Sequence, residues 1–233
     1  MVMSLNDVGE VNLNIWAGVC SWGILSAIAC FSMTAEVNRK AARMLPEKDN
    51  ISYKWNRWTV SVCFVIIILS AAVGYVAALR ALSVVGWIQL SISYAAVLSA
   101  AIIDFKLHII PNSMVLFLVF GRLLVLVYEL IFSSFTMLNL ISSILGCGLC
   151  FVVLMGMDKI FQGGIGKGDV KFLSALGFAN GVYAVFSVLL LALICCILVS
   201  AVLLVLKKVT MKDHLPFGPY IWMGYLCMIF LTY

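Results

Sequence analysis

The sequence predicts an all-α integral-membrane protein, a polytopic bundle of about eight transmembrane helices with one of them short and interrupted by glycine. Three observations lead there. Of the 233 residues, 64% are hydrophobic and only 11% are charged, too few to clothe the surface of a soluble domain. Seven apolar runs reach or approach the ~20 residues that cross ~30 Å of hydrocarbon. The Lys and Arg residues gather in the short stretches between those runs. The chain therefore reads as a single membrane domain over 1–233, with a short polar loop at 34–57 and a core at 86–233.

The first run, 14–33, is preceded by Asp7 and Glu10 and by no Lys or Arg. A secretory signal peptide begins with basic residues. The run is thus expected to stay as a helix with its N-terminus outside. Runs 58–79, 86–103, 113–132 and 138–157 come next, and 182–206 and 217–233 close the chain. Between them lies 168–181, GDVKFLSALGFANG. As a helix this segment reaches only about 21 Å. A helix that short must be wrapped in protein or border a watery cavity, because hydrocarbon offers no partner for free backbone groups. Counting it as a crossing puts thirteen of the fifteen Lys and Arg residues on one side, the exceptions being Arg80 and Arg122. Without it Lys207, Lys208 and Lys212 would change sides, so the charge pattern favours eight crossings with the basic loops inside. The net charge of +5 then reads as a topology signal and not as a nucleic-acid surface.

The eight cysteines all lie in apolar segments, including the Cys147/Cys150 pair in its CxxC spacing. Hydrocarbon disfavours the thiolates that a metal needs, so these side chains are expected to pack as small apolar groups. Arg122 and Glu129, seven residues apart, share a helix face and are as readily a structural pair as a functional one.

Only ten acidic residues are present, and two stand out by context. Asp104 ends the third run, in SAAIIDFKLHIIPN. Asp169 begins the short segment, in GGIGKGDVKFLSALG. The topology puts both at the inner boundary, where two helices can bring their carboxyls together. Two close carboxyls in a low-dielectric site share one proton. The ionised partner takes a proton from water, and the protonated one hydrogen-bonds the carbonyl oxygen under attack. The pair titrates as a unit, so neither aspartate is assigned as the base. Gly163, Gly164, Gly166 and Gly168 keep the backbone before Asp169 free of side-chain bulk, which would let a peptide strand approach.

Three segments resemble the motifs of the type IV prepilin peptidases, integral-membrane aspartic peptidases of the GxGD type. Asp104-Phe-Lys-Leu-His-Ile-Ile-Pro111-Asn112 resembles the first aspartate motif. Gly166-Lys167-Gly168-Asp169-Val170-Lys171 resembles the second. Leu215-Pro216-Phe217-Gly218-Pro219-Tyr220 resembles a third hallmark, which opens the last helix. The resemblance implies Asp104 and Asp169 as the catalytic pair. Gly164, Gly166, Gly168, Lys171, Pro111, Asn112, Pro216, Phe217, Gly218 and Pro219 would then support the site or the substrate. It implies as substrate a type IV prepilin or pseudopilin precursor, cut between its basic leader and its apolar helix. It also implies a bacterial inner membrane, with the active site at the cytoplasmic face. Lipid and the precursor are the expected partners, nucleic acid is not, and no feature sets an oligomeric state.

The resemblance thins at 34–57. Many family members carry there a larger domain with two CxxC pairs that look like a zinc site and is associated with N-methylation of the product. This loop has no cysteine, so no zinc is expected. Peptidase activity needs no cofactor, and S-adenosylmethionine would be required only if methylation is retained. Glu36 and Arg43 would belong to a reduced version of that domain or be plain topology charges. Lys106 and Lys171 either tune the dyad or snorkel to the interface. His108 and His214 show no metal-ligand pattern. Asp158 is either a contact for the basic leader or a solvated helix-end charge. Two other readings compete. Presenilin and signal-peptide-peptidase proteins share GxGD, but carry Tyr-Asp and Pro-Ala-Leu where this chain has Ile103-Asp104 and Pro216-Phe217-Gly218-Pro219. A proton-coupled transporter would place its acids near the bilayer midplane on broken helices.

Overall fold

The computed structural model describes residues 66, 68–76, 83–132, 137–160, 164–207 and 215–232. The run 14–33, the loop 34–57 with Glu36 and Arg43, Gly163 and His214 lie outside the described residues. The chain divides into two compact units, Met1–Ser83 with Thr232–Tyr233, and Val84–Leu231. In the first, residues 68–76 are helical, within the run expected at 58–79.

The second unit holds α1 (Val84–Leu107), α2 (Asn112–Ile131), α3 (Met137–Ile160), α4 (Lys167–Asn180), α5 (Val182–Val205) and α6 (Gly218–Thr232). Among the described residues there is no strand. Four helices are long and apolar enough to cross a membrane: α2, α3, α5 and the stretch Val85–Phe105 of α1. Their outward residues, such as Leu116, Phe120 and Leu124 on α2 and Ile197 and Leu198 on α5, are large, apolar and exposed. Water would not tolerate such a surface, and lipid would. Among the described residues the fold is all-helical, and its four long apolar helices are those of a membrane protein. At 14 and 15 residues, α4 and α6 fall short of a full crossing.

The helix boundaries follow local chemistry. The helix α1 ends where His108 turns left-handed, at φ 51°. Pro111 sits at the N-cap of α2 with φ −73°, where its missing N–H costs nothing. Gly181 closes α4 at φ 85°, a conformation that side chains disfavour, and its N–H donates to the Gly177 carbonyl at 2.8 Å. The helix α5 starts at the next residue, and its Val182 N–H is capped by Ser142 Oγ of α3 at 3.3 Å.

The shortest helix occupies the centre. Residues Phe172 to Gly177 of α4 are all buried, and the helix packs against α1, α2, α3 and α5. Gly146 and Gly177 make the α3–α4 crossing possible, since a Cβ on either would stand 2.5 Å from the other's carbonyl oxygen. Small residues at such crossings let helix backbones touch where no hydrophobic effect drives them together. The short segment is thus sheathed by protein, as its length requires.

Candidate active site

The helix α1 runs one turn past the expected end of its apolar run, which places Asp104 inside its final turn. Asp104 is 5% exposed. Its Oδ2 accepts a hydrogen bond of 2.7 Å from the backbone N–H of Gly218, the first residue of α6. That N–H is one of the donors left over at any helix start, and a helix N-terminus attracts negative charge. Gly218 has to be glycine here, because a Cβ would stand 2.7 Å from the Asp104 Cβ and 3.0 Å from its Oδ2.

Asp169 lies in the first turn of α4. A Cβ on Gly166 would stand 2.6 Å from its Oδ2. Gly168 only touches Ile110 at ordinary contact distance, 3.5 Å from such a Cβ. Two of the motif glycines, Gly166 and Gly218, thus make room for the carboxyls themselves. Gly164 lines the cavity in front of them.

Both carboxyls open into one cavity of about 480 Å³. One wall comes from α5, where Leu189, Leu193 and Cys196 recur at helical spacing, and α3 adds Leu154 and Met157. Pro216 and Phe217 close it from the segment before α6. Asp169 lies outside the four long apolar helices. Its carboxyl is pushed up to about 7, chiefly by burial and then by the neighbouring Asp104 carboxyl. Asp169 therefore exchanges its proton near neutral pH, and the arrangement is equipped for acid–base work on a bond placed between the two carboxyls.

The remaining expected residues divide by position. Pro111 is buried at the start of α2, and Pro219 is half-buried in the first turn of α6. Asn112 and Lys171 are exposed, and neither lines the cavity. His108 is exposed at the cavity lining. Asp158, in the last turn of α3, accepts the Ile165 N–H at 3.2 Å. It latches the 164–166 segment that leads to Asp169, a role neither sequence reading anticipated. Arg122 and Glu129 do share a face of α2, where they form a buried ion pair of 3.5 Å. Among the described residues no group of three His, Cys, Asp or Glu side chains is placed to hold a metal ion.

Residues 91–201 match the type IV leader peptidase family. The leader-peptidase segment contains Asp104, Asp169, the cavity walls from α3 and α5, and the whole of α4. It stops short of the Pro216–Pro219 motif, which the fold brings back onto Asp104 through Gly218. Over these residues the chain is similar to peptidases of the leader-peptidase kind. No curated protein and no solved structure matches the chain.

Proposed function

We propose that the protein is an aspartic endopeptidase that hydrolyses the bond between the basic leader and the apolar helix of type IV prepilins or pseudopilins. The observation that carries this reading is the meeting of Asp104 and Asp169 in one cavity, with Asp169 holding a proton up to about 7. A water between the carboxyls loses a proton to the dyad as it attacks the scissile carbonyl. The dyad's other proton hydrogen-bonds the carbonyl oxygen as charge develops on it. Breakdown of the tetrahedral intermediate returns a proton to the leaving amine, and the pair is restored as a unit. The apolar walls from α3 and α5 suit the first residues of the precursor's helix.

The location fits this substrate. Asp104 and Asp169 lie at helix ends, and thirteen of fifteen basic residues share their side in an eight-crossing arrangement with the N-terminus outside. We place the site at the cytoplasmic face of a bacterial inner membrane, where a prepilin exposes its leader. Peptide hydrolysis by this dyad requires no cofactor. Methylation of the product is a separate activity that would need S-adenosylmethionine, and the loop 34–57 lacks the cysteine pairs of the longer family members.

The test is incubation of the reconstituted protein with a prepilin, followed by mass spectrometry of the product's N-terminus. The expected product starts at the apolar helix, and its mass reports any methyl group. Asp104→Asn and Asp169→Asn should each leave the leader attached at normal protein levels. Substantial cleavage by either variant would overturn the reading.

A further inference from the structure

The helices that carry the two aspartates are tied together a second time, between the middle of α1 and the far end of α4. Ser93 of α1 is fully buried, and its hydroxyl donates to Asn180 Oδ1 of α4 at 3.2 Å. Asn180 Nδ2 donates back to Ser93 Oγ at 3.0 Å. Gln89 Nε2 reaches the same hydroxyl from the preceding turn of α1 at 3.5 Å. The helices α1 and α4 also pack directly against each other.

The spacing gives this clasp its meaning. Ser93 precedes Asp104 by eleven residues, and Asn180 follows Asp169 by eleven. Eleven residues are about three turns of helix, so clasp and carboxyl lie on nearly one face of each helix, about 16 Å apart. The α4 start, which carries Asp169, meets the α1 end: a Cβ on Gly168 would come within 3.5 Å of Ile110, just past α1, and both carboxyls line one cavity. The α4 end meets the middle of α1 through the clasp. The two helices are therefore antiparallel, and the register that pairs Ser93 with Asn180 is the register that pairs Asp104 with Asp169. Sliding α4 by one turn would break both pairs at once.

We infer that Ser93 and Asn180 are positioning residues that pin the register of α1 against α4 and thereby hold the two catalytic carboxyls within reach of one water. The inference rests on the dyad reading proposed above. Hydrogen bonds of this type are the usual glue between membrane helices, and a misplacement of about 1 Å at a catalytic group can cost about a hundredfold in rate.

The experiment compares Ser93→Ala, Asn180→Leu, their double variant, Ser93→Thr and a control in the full chain. The control, Ser143→Ala, removes a bond that stays within α3. Two readouts are taken: kcat and KM per folded molecule with a prepilin, and the infrared titration of the protonated Asp169 carboxyl, which needs no substrate. The two clasp variants should lose about ten- to a hundredfold in kcat with KM within about twofold. The double variant should be no worse than the poorer single, because the two residues act as one unit. Separated carboxyls no longer repel, so the Asp169 titration should move to lower pH in both variants. Ser93→Thr, which keeps the hydroxyl, and Ser143→Ala should behave like the wild type. Unchanged kcat and titration in both clasp variants would overturn the inference, as would an equal loss in Ser143→Ala. If the wild type leaves a prepilin uncut, the proposed function fails, and the infrared titration still decides the register pin.

Discussion

Arg122 and Glu129 stand seven residues apart on one helix, buried, 3.5 Å from each other and away from the cavity. Asp104 and Asp169 come from two helices, are both acids and line an open space of about 480 Å³. Both pairs place ionisable groups in an apolar chain, where charges are costly. The first meets the cost by mutual neutralisation within a single helix, although Arg122 Nε and Glu129 Oε2 are left without a hydrogen-bond partner. The second meets it by keeping a proton and a view of water. Opposite charges that complete each other have little left to offer a substrate. Two carboxyls held together are not satisfied by each other in this way, and Gly166 and Gly218 show how the local structure makes room for them.

This contrast can be broken in graded ways. The largest effect should come from the dyad: Asp104→Asn or Asp169→Asn should lower peptide cleavage on the order of 10³- to 10⁴-fold while the melting temperature stays near that of the wild type. The ion pair should respond the other way round. Arg122→Leu strands a buried carboxylate and should destabilise the protein by roughly 3–5 kcal/mol, read as a fall in melting temperature and membrane yield. Leu at both positions should recover most of that loss, with kcat per folded molecule unchanged throughout. A large fall in kcat with stability intact would move Arg122 and Glu129 into the machinery. Gly218→Ala is intermediate. It pushes against Asp104 and should cost about a hundredfold in kcat, with KM little altered, in steady-state cleavage assays. The smallest effect is a pH limb. Asp169 is raised to about 7, so the pair keeps its working proton below that value and loses it above. Cleavage should therefore decline as pH rises through about 7, and a flat profile from pH 6 to 9 would deny the shared proton.

Much of this was legible in the sequence, for identifiable reasons. Long helices announce themselves by apolar length, and α2, α3 and α5 fall within a residue or a few of the expected runs. That Asp104 and Asp169 would lie together was legible because acidic residues are so scarce that two beside glycine and proline motifs stand out, and both line one cavity. The end of α1 was misjudged by one turn, because Phe105, Lys106 and Leu107 end the apolar pattern without ending the helix. Asp158 was read only through its charge, whereas the fold uses its oxygen to hold the Ile165 N–H. Ser93 and Asn180 carried no signal, since a single serine in an apolar helix looks like any other until its partner 87 residues away is known. The cavity walls from α5 were equally hidden, because a helix apolar all round does not reveal which stripe faces inward.

The central position of α4 has one more consequence, concerning the bilayer and not the chemistry. Membranes differ in thickness, and a helix in contact with lipid answers by tilting or by deforming its surroundings. The exposed flanks of α2, α3 and α5 bear that adjustment. The helix that carries Asp169 is only 14 residues long and is sheathed by its neighbours, with little lipid to respond to. Its depth is set by glycine crossings and hydrogen bonds to other helices. The outer bundle thus acts as a suspension, letting the protein ride in bilayers of different thickness while the reacting groups keep their spacing.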